Sequence, residues 1–175
     1  MSEKELQAMA NMAAEAAVKR MNEEKKRTRD KRLANAKLLL SHYREFKEFS
    51  KSAIYTAKQA EIESASDILD LMWDPNNKSE RVVESIKRSA ITTTVIMAHI
   101  DGMLKVYENI CNSSKRDYDR RRYNVMYDRY ISDETYEIEE IAERYHIDPR
   151  TVYMDLDVAT DKMAKLIFGI DSVFA

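Results

Sequence analysis

Residues 138–153 read IEEIAERYHIDPRTVY, and this stretch decides the fold of the C-terminal third of the chain. Ile138, Ile141 and Ala142 lie three and four residues apart, which places them on one face of a helix. The acidic residues at 139 and 140 fall in the first turn, where the helix dipole stabilises negative charge. We therefore predict a short helix from Glu137 to Tyr145.

The second half of the same stretch predicts a tight turn followed by another helix. His146-Ile147-Asp148 is the turn, because Asp148 can cap a helix and Pro149 suits the first helical position. Ala142 is small enough to let the two helices cross closely. The side chains expected to be buried between the helices form a helix-turn-helix pattern: Ile138, Ile141, Ala142, Ile147, Val152 and Leu156.

A longer helix is predicted just before this pair. Aromatic and apolar side chains recur there at spacings of three and four: Tyr123, Met126, Tyr127 and Tyr130. We therefore expect an amphipathic helix from Asp117 to Ile131, ended by Ser132-Asp133-Glu134. The three helices together predict a helix-turn-helix DNA-binding domain over residues 118–175.

The predicted DNA contacts follow from this geometry. The N-terminal part of the last helix of such a unit enters the major groove, where side chains reach base edges. The register turns Val152, Leu156, Ala159 and Met163 toward the core. The positions left for base readout are Arg150, Thr151, Tyr153, Met154 and Asp157. The residues predicted to contact phosphates are Arg120, Arg121, Arg122, Arg129 and Arg144.

The charge of the last predicted helix argues against DNA binding. Four aspartates make it acidic, and phosphates repel carboxylates: Asp148, Asp155, Asp157 and Asp161. The net charge of the whole chain is -2, so the molecule has no global positive field toward nucleic acid. Contacts to DNA must therefore come from local basic patches.

The N-terminal half is predicted to be helical as well. The chain has only 2 Gly and 2 Pro, too few turn formers for a sandwich or an α/β fold, so the predicted fold class is all-α. Residues 1–32 form a charged arm that can fray when unbound. Its run of lysines and arginines between Lys19 and Arg32 is interpreted as a solvated helix face.

Residues 33–112 are predicted to form a helical hairpin, and 113–117 a linker to the C-terminal domain. One stripe of this hairpin comprises Leu33, Ala36, Leu40, Tyr43, Phe46, Ile54 and Ala57. Asp74-Pro75-Asn76-Asn77 breaks the helices, and Ser79 is the expected N-cap of the second one. That second helix is predicted over residues 80–111, although the β-branched run Ile91–Ile96 leaves a short strand as the alternative.

Neither an enzyme nor a cofactor or metal site is expected. The three histidines at 42, 99 and 146 are far apart, and the two glycines form no phosphate-binding loop. His99 is near Asp101 and could be a general base oriented by it, but a packed structural histidine is the more common interpretation of such a pair. The single cysteine, Cys111, excludes an internal disulfide, is expected to be buried and fits a reducing cytoplasm. We expect no signal peptide and no membrane span.

Several stretches resemble the ArpU/RinA-like regulators of phage late transcription. These are Ile138–Ile147, Arg150-Thr-Val-Tyr153 and Leu166-Ile-Phe-Gly-Ile-Asp171, with Val83–Ser89 and Met97–Leu104 upstream. The resemblance covers the chain from about residue 38 onward. It implies activation of packaging, morphogenesis and lysis genes in phages of Gram-positive bacteria, through a helix-turn-helix similar to sigma-factor region 4. Two residues depart from the family pattern: Glu137 stands where relatives commonly have a capping Thr, and Met154 stands where they have a basic residue. These departures affect the expected base preference and phosphate contacts.

Two other functions remain open from the residues. In the first, the chain is an adaptor that docks on bacterial RNA polymerase or another helical partner, with little direct reading of DNA. In the second, it is a coiled-coil scaffold, because Leu33 to Ala57 can pair between chains and make a homo-oligomer through the N-terminal helices. The predicted partners are therefore double-stranded DNA, RNA polymerase and a second copy of the chain, in the cytoplasm of a bacterial host cell.

Overall fold

A computed structural model describes residues 3–52 and 90–169, and every regular element in these two ranges is a helix. The all-α prediction is therefore confirmed. The helices, in chain order, are α1 Glu3–Ser41, α2 Tyr43–Ser52, α3 Ala90–Ser113, α4 Asp117–Met126, α5 Ile138–Tyr145 and α6 Pro149–Phe168. A π-helical turn, Tyr127–Ile131, continues α4.

The N-terminal helix α1 runs through the boundary between the predicted arm and the predicted hairpin. Side chains at positions 11–24 are exposed, and the first buried ones are Asn35 and Ala36. The break between α1 and α2 falls at His42. The Ser41 hydroxyl donates a hydrogen bond to the Lys37 carbonyl at 2.7 Å, a bond from a helix residue to the preceding turn that commonly bends helices.

Helix α3 lies in the core and replaces the alternative of a strand at 91–96. Its buried side chains face both the N-terminal and the C-terminal helices: Thr92, Thr93, Ile96, Met97, Ile100, Leu104, Tyr107 and Cys111. The helix predicted over 80–111 is confirmed from Ala90 onward. The break at 74–77, Ser79, Ile54 and Ala57 lie outside the described residues, so the connection of the predicted hairpin stays a prediction.

One hydrophobic core joins the ranges predicted as hairpin and C-terminal domain. It includes Leu40 and Phe46 from the N-terminal helices together with Ile141 and Met163 from α5 and α6. The predicted linker does fall between helices, since α3 ends at Ser113 and α4 begins at Asp117. The core nevertheless continues across it, because α6 packs on α1, α3, α4 and α5.

The three predicted C-terminal helices are present with small changes. The helix predicted over Asp117–Ile131 is found, but its last turn widens into the π-helical turn, where the Ser132 N–H bonds the Tyr127 carbonyl at 2.9 Å. Helix α5 starts one residue after Glu137, which is its N-cap. Among the described helices, none is both long enough and apolar enough to cross a membrane.

Candidate nucleic-acid interface

The connection between α5 and α6 has the predicted form. His146 adopts a left-handed conformation, φ 53, which histidine tolerates better than most residues. The Ile147 N–H reaches back to the Ala142 carbonyl at 3.0 Å and satisfies the end of α5. The Asp148 carboxylate accepts the Arg150 N–H at 2.8 Å, and Pro149 occupies the first helical position. These contacts set where α6 begins and in which direction it leaves the turn.

The inner face of α6 is held in the core. Val152, Leu156, Ala159 and Met163 are buried, as the register predicts. From α5 the structure buries Ile138, Ile141 and Ala142, whereas Ile147 of the turn is only half-buried. The small Ala142 side chain is 6% exposed, consistent with a close approach of the two helices. The rotation of α6 about its axis is therefore fixed.

The outer face of α6 is open to a partner. Arg150, Tyr153, Met154 and Asp157 are exposed, and both Tyr153 and Met154 lie three or four residues from Arg150 and from Asp157. We call these four residues the outer stripe. Tyr153 is 58% and Met154 61% exposed, unusually high for large apolar side chains. Thr151 lies beside the stripe and is half-buried. All five residues predicted for base readout therefore share the accessible part of α6.

Helix α1 flanks this stripe. A cleft of about 670 Å³ lies beside the outer stripe, and Tyr153 and Asp157 of α6 line it with Leu33, Lys37 and Ser41 of α1. Further along both helices, the Arg29 guanidinium lies 4.0 Å from the Asp161 carboxylate. Numbers rise along α1 as they fall along α6, so the two helices run antiparallel.

Two of the arginines predicted to contact phosphates are paired with Asp155. The Arg121 Nε donates to the Asp155 carboxylate at 2.7 Å, and the Arg122 Nε donates to its other oxygen at 3.2 Å. The Asp155 side chain is only 4% exposed, and its hydrogen bond raises the pKa of Arg121. The three groups carry a net charge of +1, less than the two arginines would present alone.

Two further predicted phosphate contacts are engaged near the start of α5. Arg129 donates to the Tyr136 carbonyl at 2.8 Å and lies 3.1 Å from the Glu137 carboxylate. Arg144 donates to Asp128 at 3.0 Å, and its guanidinium lies 4.0 Å from the centre of the Tyr136 ring. Of the five predicted arginines, only Arg120 makes no ion pair or side-chain hydrogen bond within residues 3–52 and 90–169.

The acidic character of α6 is weaker at its surface than in its sequence. Asp155 faces the core, Asp148 caps the helix, and Asp161 pairs with Lys165 at 2.7 Å. Only Asp157 presents an exposed carboxylate on the outer stripe without an ion pair to a described residue. The repulsion expected from four aspartates therefore applies mainly to one.

The sequence analysis did not identify Arg44 and Asp128 as structural residues. Arg44 of α2 donates to the carbonyls of Ser132, Asp128, Arg129 and Glu134 at 2.6 to 3.3 Å. The Asp128 carboxylate accepts from the Tyr145 hydroxyl at 2.8 Å as well as from Arg144. No local pattern marks Arg44, because all its partners lie 84 to 90 residues away. These bonds hold the end of the π-helical turn and the start of the loop that leads to α5.

His99 and Asp101 bind different partners and do not form a pair. The His99 Nε2 lies 3.0 Å from the Ile167 carbonyl, which can only accept, so this nitrogen donates. Asp101 accepts from the Tyr43 hydroxyl at 2.7 Å. Cys111 is 3% exposed, and burial raises the pKa of its thiol. Each of these groups is accounted for by packing.

Comparisons of this chain with protein-family models, with curated proteins and with solved structures found no match. A functional assignment therefore depends on the geometry of the outer stripe and on the motif resemblance described above.

Proposed function

We propose that this chain is a sequence-specific DNA-binding regulator of transcription that places the outer stripe of α6 in the major groove. One observation carries the proposal: the N-terminal half of α6 is exposed along a single stripe, while its opposite face and its start are both fixed. An α-helix fits the major groove, where the base pairs present distinguishable edges. A helix held in one rotation can bring the same side chains to the same base pairs each time.

The side chains of the stripe match the chemistry of base edges. Arg150 can donate two bonds to a guanine, and the hydroxyl of Thr151 can donate or accept. Met154 offers an apolar contact to a thymine methyl, and Asp157 can accept from the amino group of a cytosine. Tyr153 offers an aromatic ring and a hydroxyl, and it precedes Met154 on the stripe. The set is mixed rather than uniformly basic, which favours sequence preference over high affinity.

The resemblance to ArpU/RinA-like proteins supports a narrower form of this proposal. In that form the chain activates the late genes of a phage, for packaging, morphogenesis and lysis, in the cytoplasm of its bacterial host. Met154 stands where that family commonly carries a basic residue, so we expect a base preference different from that of the family. The position of the gene relative to terminase and capsid genes tests this narrower form.

The direct test is selection of binding sites by the full-length protein from a library of random duplexes. We expect an enriched sequence, and we expect Arg150→Ala combined with Tyr153→Ala to abolish the enrichment. Each lost base contact costs about 1–3 kcal/mol of discrimination, so the preference for the selected duplex falls by about 30-fold to 10⁴-fold when both contacts are lost. The matched control is Lys105→Ala with Val106→Ala, two exposed neighbours on α3. Enrichment that survives the α6 double variant contradicts base readout by this stripe.

A second candidate function is docking on bacterial RNA polymerase or another helical partner. The observation that favours it is the exposed apolar surface of Tyr153, Met154 and Val158, because exposed apolar patches commonly mark protein interfaces. In this case purified polymerase binds the wild-type chain but not the Arg150→Ala, Tyr153→Ala variant, and no duplex sequence is enriched. Selection of a defined duplex by the wild-type protein contradicts docking as the sole function.

A further inference from the structure

The positive charge of this chain is concentrated in one segment of α1. Residues 19–32, which we call the basic segment, contain eight Lys or Arg and three Asp or Glu, a net charge of +5. The whole chain has a net charge of -2, so all other residues together carry -7. The basic segment is therefore strongly positive, whereas the rest of the chain has a negative net charge.

The structure holds the first part of this segment, residues 19–24, out from the body of the protein. Helix α1 continues through it without interruption, and side chains from 19 to 24 are exposed. Lys19, Arg20, Lys26 and Arg27 are exposed and make no ion pair or side-chain hydrogen bond with any residue of 3–52 or 90–169. Their charges are thus available to an external partner.

These four cations share one side of the helix. Lys19 and Lys26 are seven residues apart, as are Arg20 and Arg27, so each pair repeats after about two turns and about 10 Å. At about 100° per residue the four side chains fall within roughly a third of the circumference. This arrangement suits a linear array of negative charge better than a single ion.

The basic segment lies further along α1 than the residues that flank the outer stripe. Helix α1 runs antiparallel to α6, with Leu33 and Lys37 beside Tyr153 and Asp157, and with Arg29 beside Asp161. From Arg29 back to Lys19 the helix extends about 15 Å beyond this contact. Along α1, Arg27 and Lys19 lie about 9 and 21 Å from Leu33, which lies beside the stripe. A duplex that receives the outer stripe must therefore extend along α1 to bring its backbone to these cations.

The arginines nearest to α5 and α6 are less able to supply phosphate contacts. Arg121 and Arg122 share Asp155, Arg129 pairs with Glu137, and Arg144 pairs with Asp128. Neutralisation of phosphates provides most of the affinity that does not depend on sequence. Among the five predicted arginines only Arg120 makes no ion pair or side-chain hydrogen bond with a described residue, so most of that affinity must come from unpaired cations elsewhere.

We infer that the basic segment of α1 is the phosphate-binding surface of this protein, with Lys19, Arg20, Lys26 and Arg27 contacting the DNA backbone while α6 reads the bases. This inference rests on the proposed function and assigns its electrostatic part to a helix outside the helix-turn-helix unit. The ligand is the regularly spaced phosphates of a duplex, which carries one negative charge per ~1.7 Å of its axis.

The test is the full-length variant Lys19→Gln, Arg20→Gln, Lys26→Gln and Arg27→Gln. Glutamine has a helix propensity close to that of Lys and Arg, so α1 should remain helical, which circular dichroism checks. The probes are the selected duplex and a scrambled duplex of the same composition, titrated over a range of salt concentrations. Each lost phosphate contact flattens the slope of log K against log salt by ~0.9, so we expect a change of about 3 to 4. The ratio of the two affinities should stay unchanged.

Two controls separate contact from net charge. The variant Lys19→Arg, Arg20→Lys, Lys26→Arg and Arg27→Lys keeps all four charges and should keep the wild-type slope. The double variant Lys26→Gln with Arg27→Gln should flatten the slope by about 2, whereas Lys105→Gln with Lys115→Gln, which removes the same charge at two other exposed sites, should change it by much less.

The outcomes that overturn the inference differ from those that overturn the proposed function. If the wild-type chain binds no duplex, both the inference and the proposed function are contradicted. A wild-type chain that selects a sequence, combined with an unchanged salt slope in the four-site variant, overturns only the role of the basic segment. Equal effects of the two double variants also overturn it, because net charge then explains the result. Loss of polymerase binding with an unchanged slope assigns the segment to an acidic protein surface instead.

Discussion

Asp155 places a charged side chain inside the molecule, between α4 and the inner face of α6. It shares the core-facing register of α6 with Val152 and Ala159, both fully buried. Its carboxylate survives there because Arg121 and Arg122 donate to both oxygens. A buried carboxylate with two donors restricts geometry more than an apolar contact does, so Asp155 fixes α4 against α6 and thereby the direction of the outer stripe.

This pairing predicts an asymmetry between its two sides. Replacing both Arg121 and Arg122 by Met leaves a buried carboxylate without donors, which we expect to cost about 3–5 kcal/mol of the free energy of unfolding. Replacing Asp155 by Asn leaves two arginines that are about a third exposed and can be hydrated, for a cost of about 1–2 kcal/mol. Urea unfolding of the variants measures both. Equal costs would show that the buried charge is not the controlling term.

Among the secondary-structure elements, the π-helical turn at Tyr127–Ile131 determines how α5 is presented. A widened turn leaves carbonyl groups at its end without the usual helical donors. The Arg44 guanidinium supplies those donors. As a cation at a helix C-terminus, it also interacts favourably with the helix dipole. Helix α2 therefore holds the end of this turn through the Arg44 side chain, beside the ion pair between Lys47 and Asp133.

Removal of this side chain should destabilise the protein locally and globally. We expect Arg44→Met to cost about 2–3 kcal/mol and to speed amide exchange from residue 127 to 134. Arg44→Lys keeps the charge but not the forked donors, so it should show much of the same loss. The control is Lys47→Met in the same helix, whose pairing with the 92% exposed Asp133 is worth less than about 1 kcal/mol. Exchange rates unchanged in Arg44→Met would contradict this role.

The start of α6 is a second element that can be tested separately from the core. Asp148→Ala removes the N-cap and should cost about 1 kcal/mol, while fraying the turn that carries Arg150 and Thr151. Asp148→Asn keeps the cap and removes one negative charge, so its stability should be nearly that of the wild type. Unfolding midpoints compare the two variants, and duplex affinity should fall only for the alanine variant. A fall of equal size in both would point to the charge and not to the cap.

On the scale of the whole molecule, three buried tyrosines and the half-buried Tyr145 connect the helices. Tyr43 of α2 bonds Asp101 of α3, and Tyr107 of α3 packs edge to face on Tyr123 of α4 at 5.3 Å. Tyr145 of α5 bonds Asp128 in the π-helical turn. Burial raises the pKa of Tyr123 to about 12 and raises the pKa values of the other three still further. The fold therefore binds these phenolic protons more tightly than the unfolded chain does.

This difference predicts unfolding in alkali. Below the unfolded pKa of about 10 both states hold the protons, and the stabilisation is fully present. As pH rises from about 10 through about 12, the unfolded chain releases protons that the fold retains, so the free energy of unfolding falls. Tyrosinate absorbance and far-ultraviolet circular dichroism should change together in that range. Tyr123→Phe should reduce the dependence on pH, and complete ionisation near pH 10 with intact helices would contradict the prediction.

Features that depend on neighbouring residues can be predicted from the sequence. The all-helical class, the bounds of α5 and the start of α6 at Asp148 and Pro149 all follow from spacing, capping and the scarcity of Gly and Pro. The exposed positions of α6 also follow, because helical periodicity separates the outer stripe from the buried face. These signals act over a few residues and are therefore visible in the chain.

The pairing of charged side chains, in contrast, depends on how the helices pack. Asp155 could be placed at the core register from its spacing, but its partners lie 33 and 34 residues away. Arg44 meets its carbonyls 84 to 90 residues further along, and α1 flanks α6 at an even greater separation. No local pattern indicates which distant residues form an ion pair, because that depends on burial and on the geometry of packed helices. The same packing leaves Lys19, Arg20, Lys26 and Arg27 of α1 without an ion pair to a described residue, while it engages Arg121, Arg122, Arg129 and Arg144.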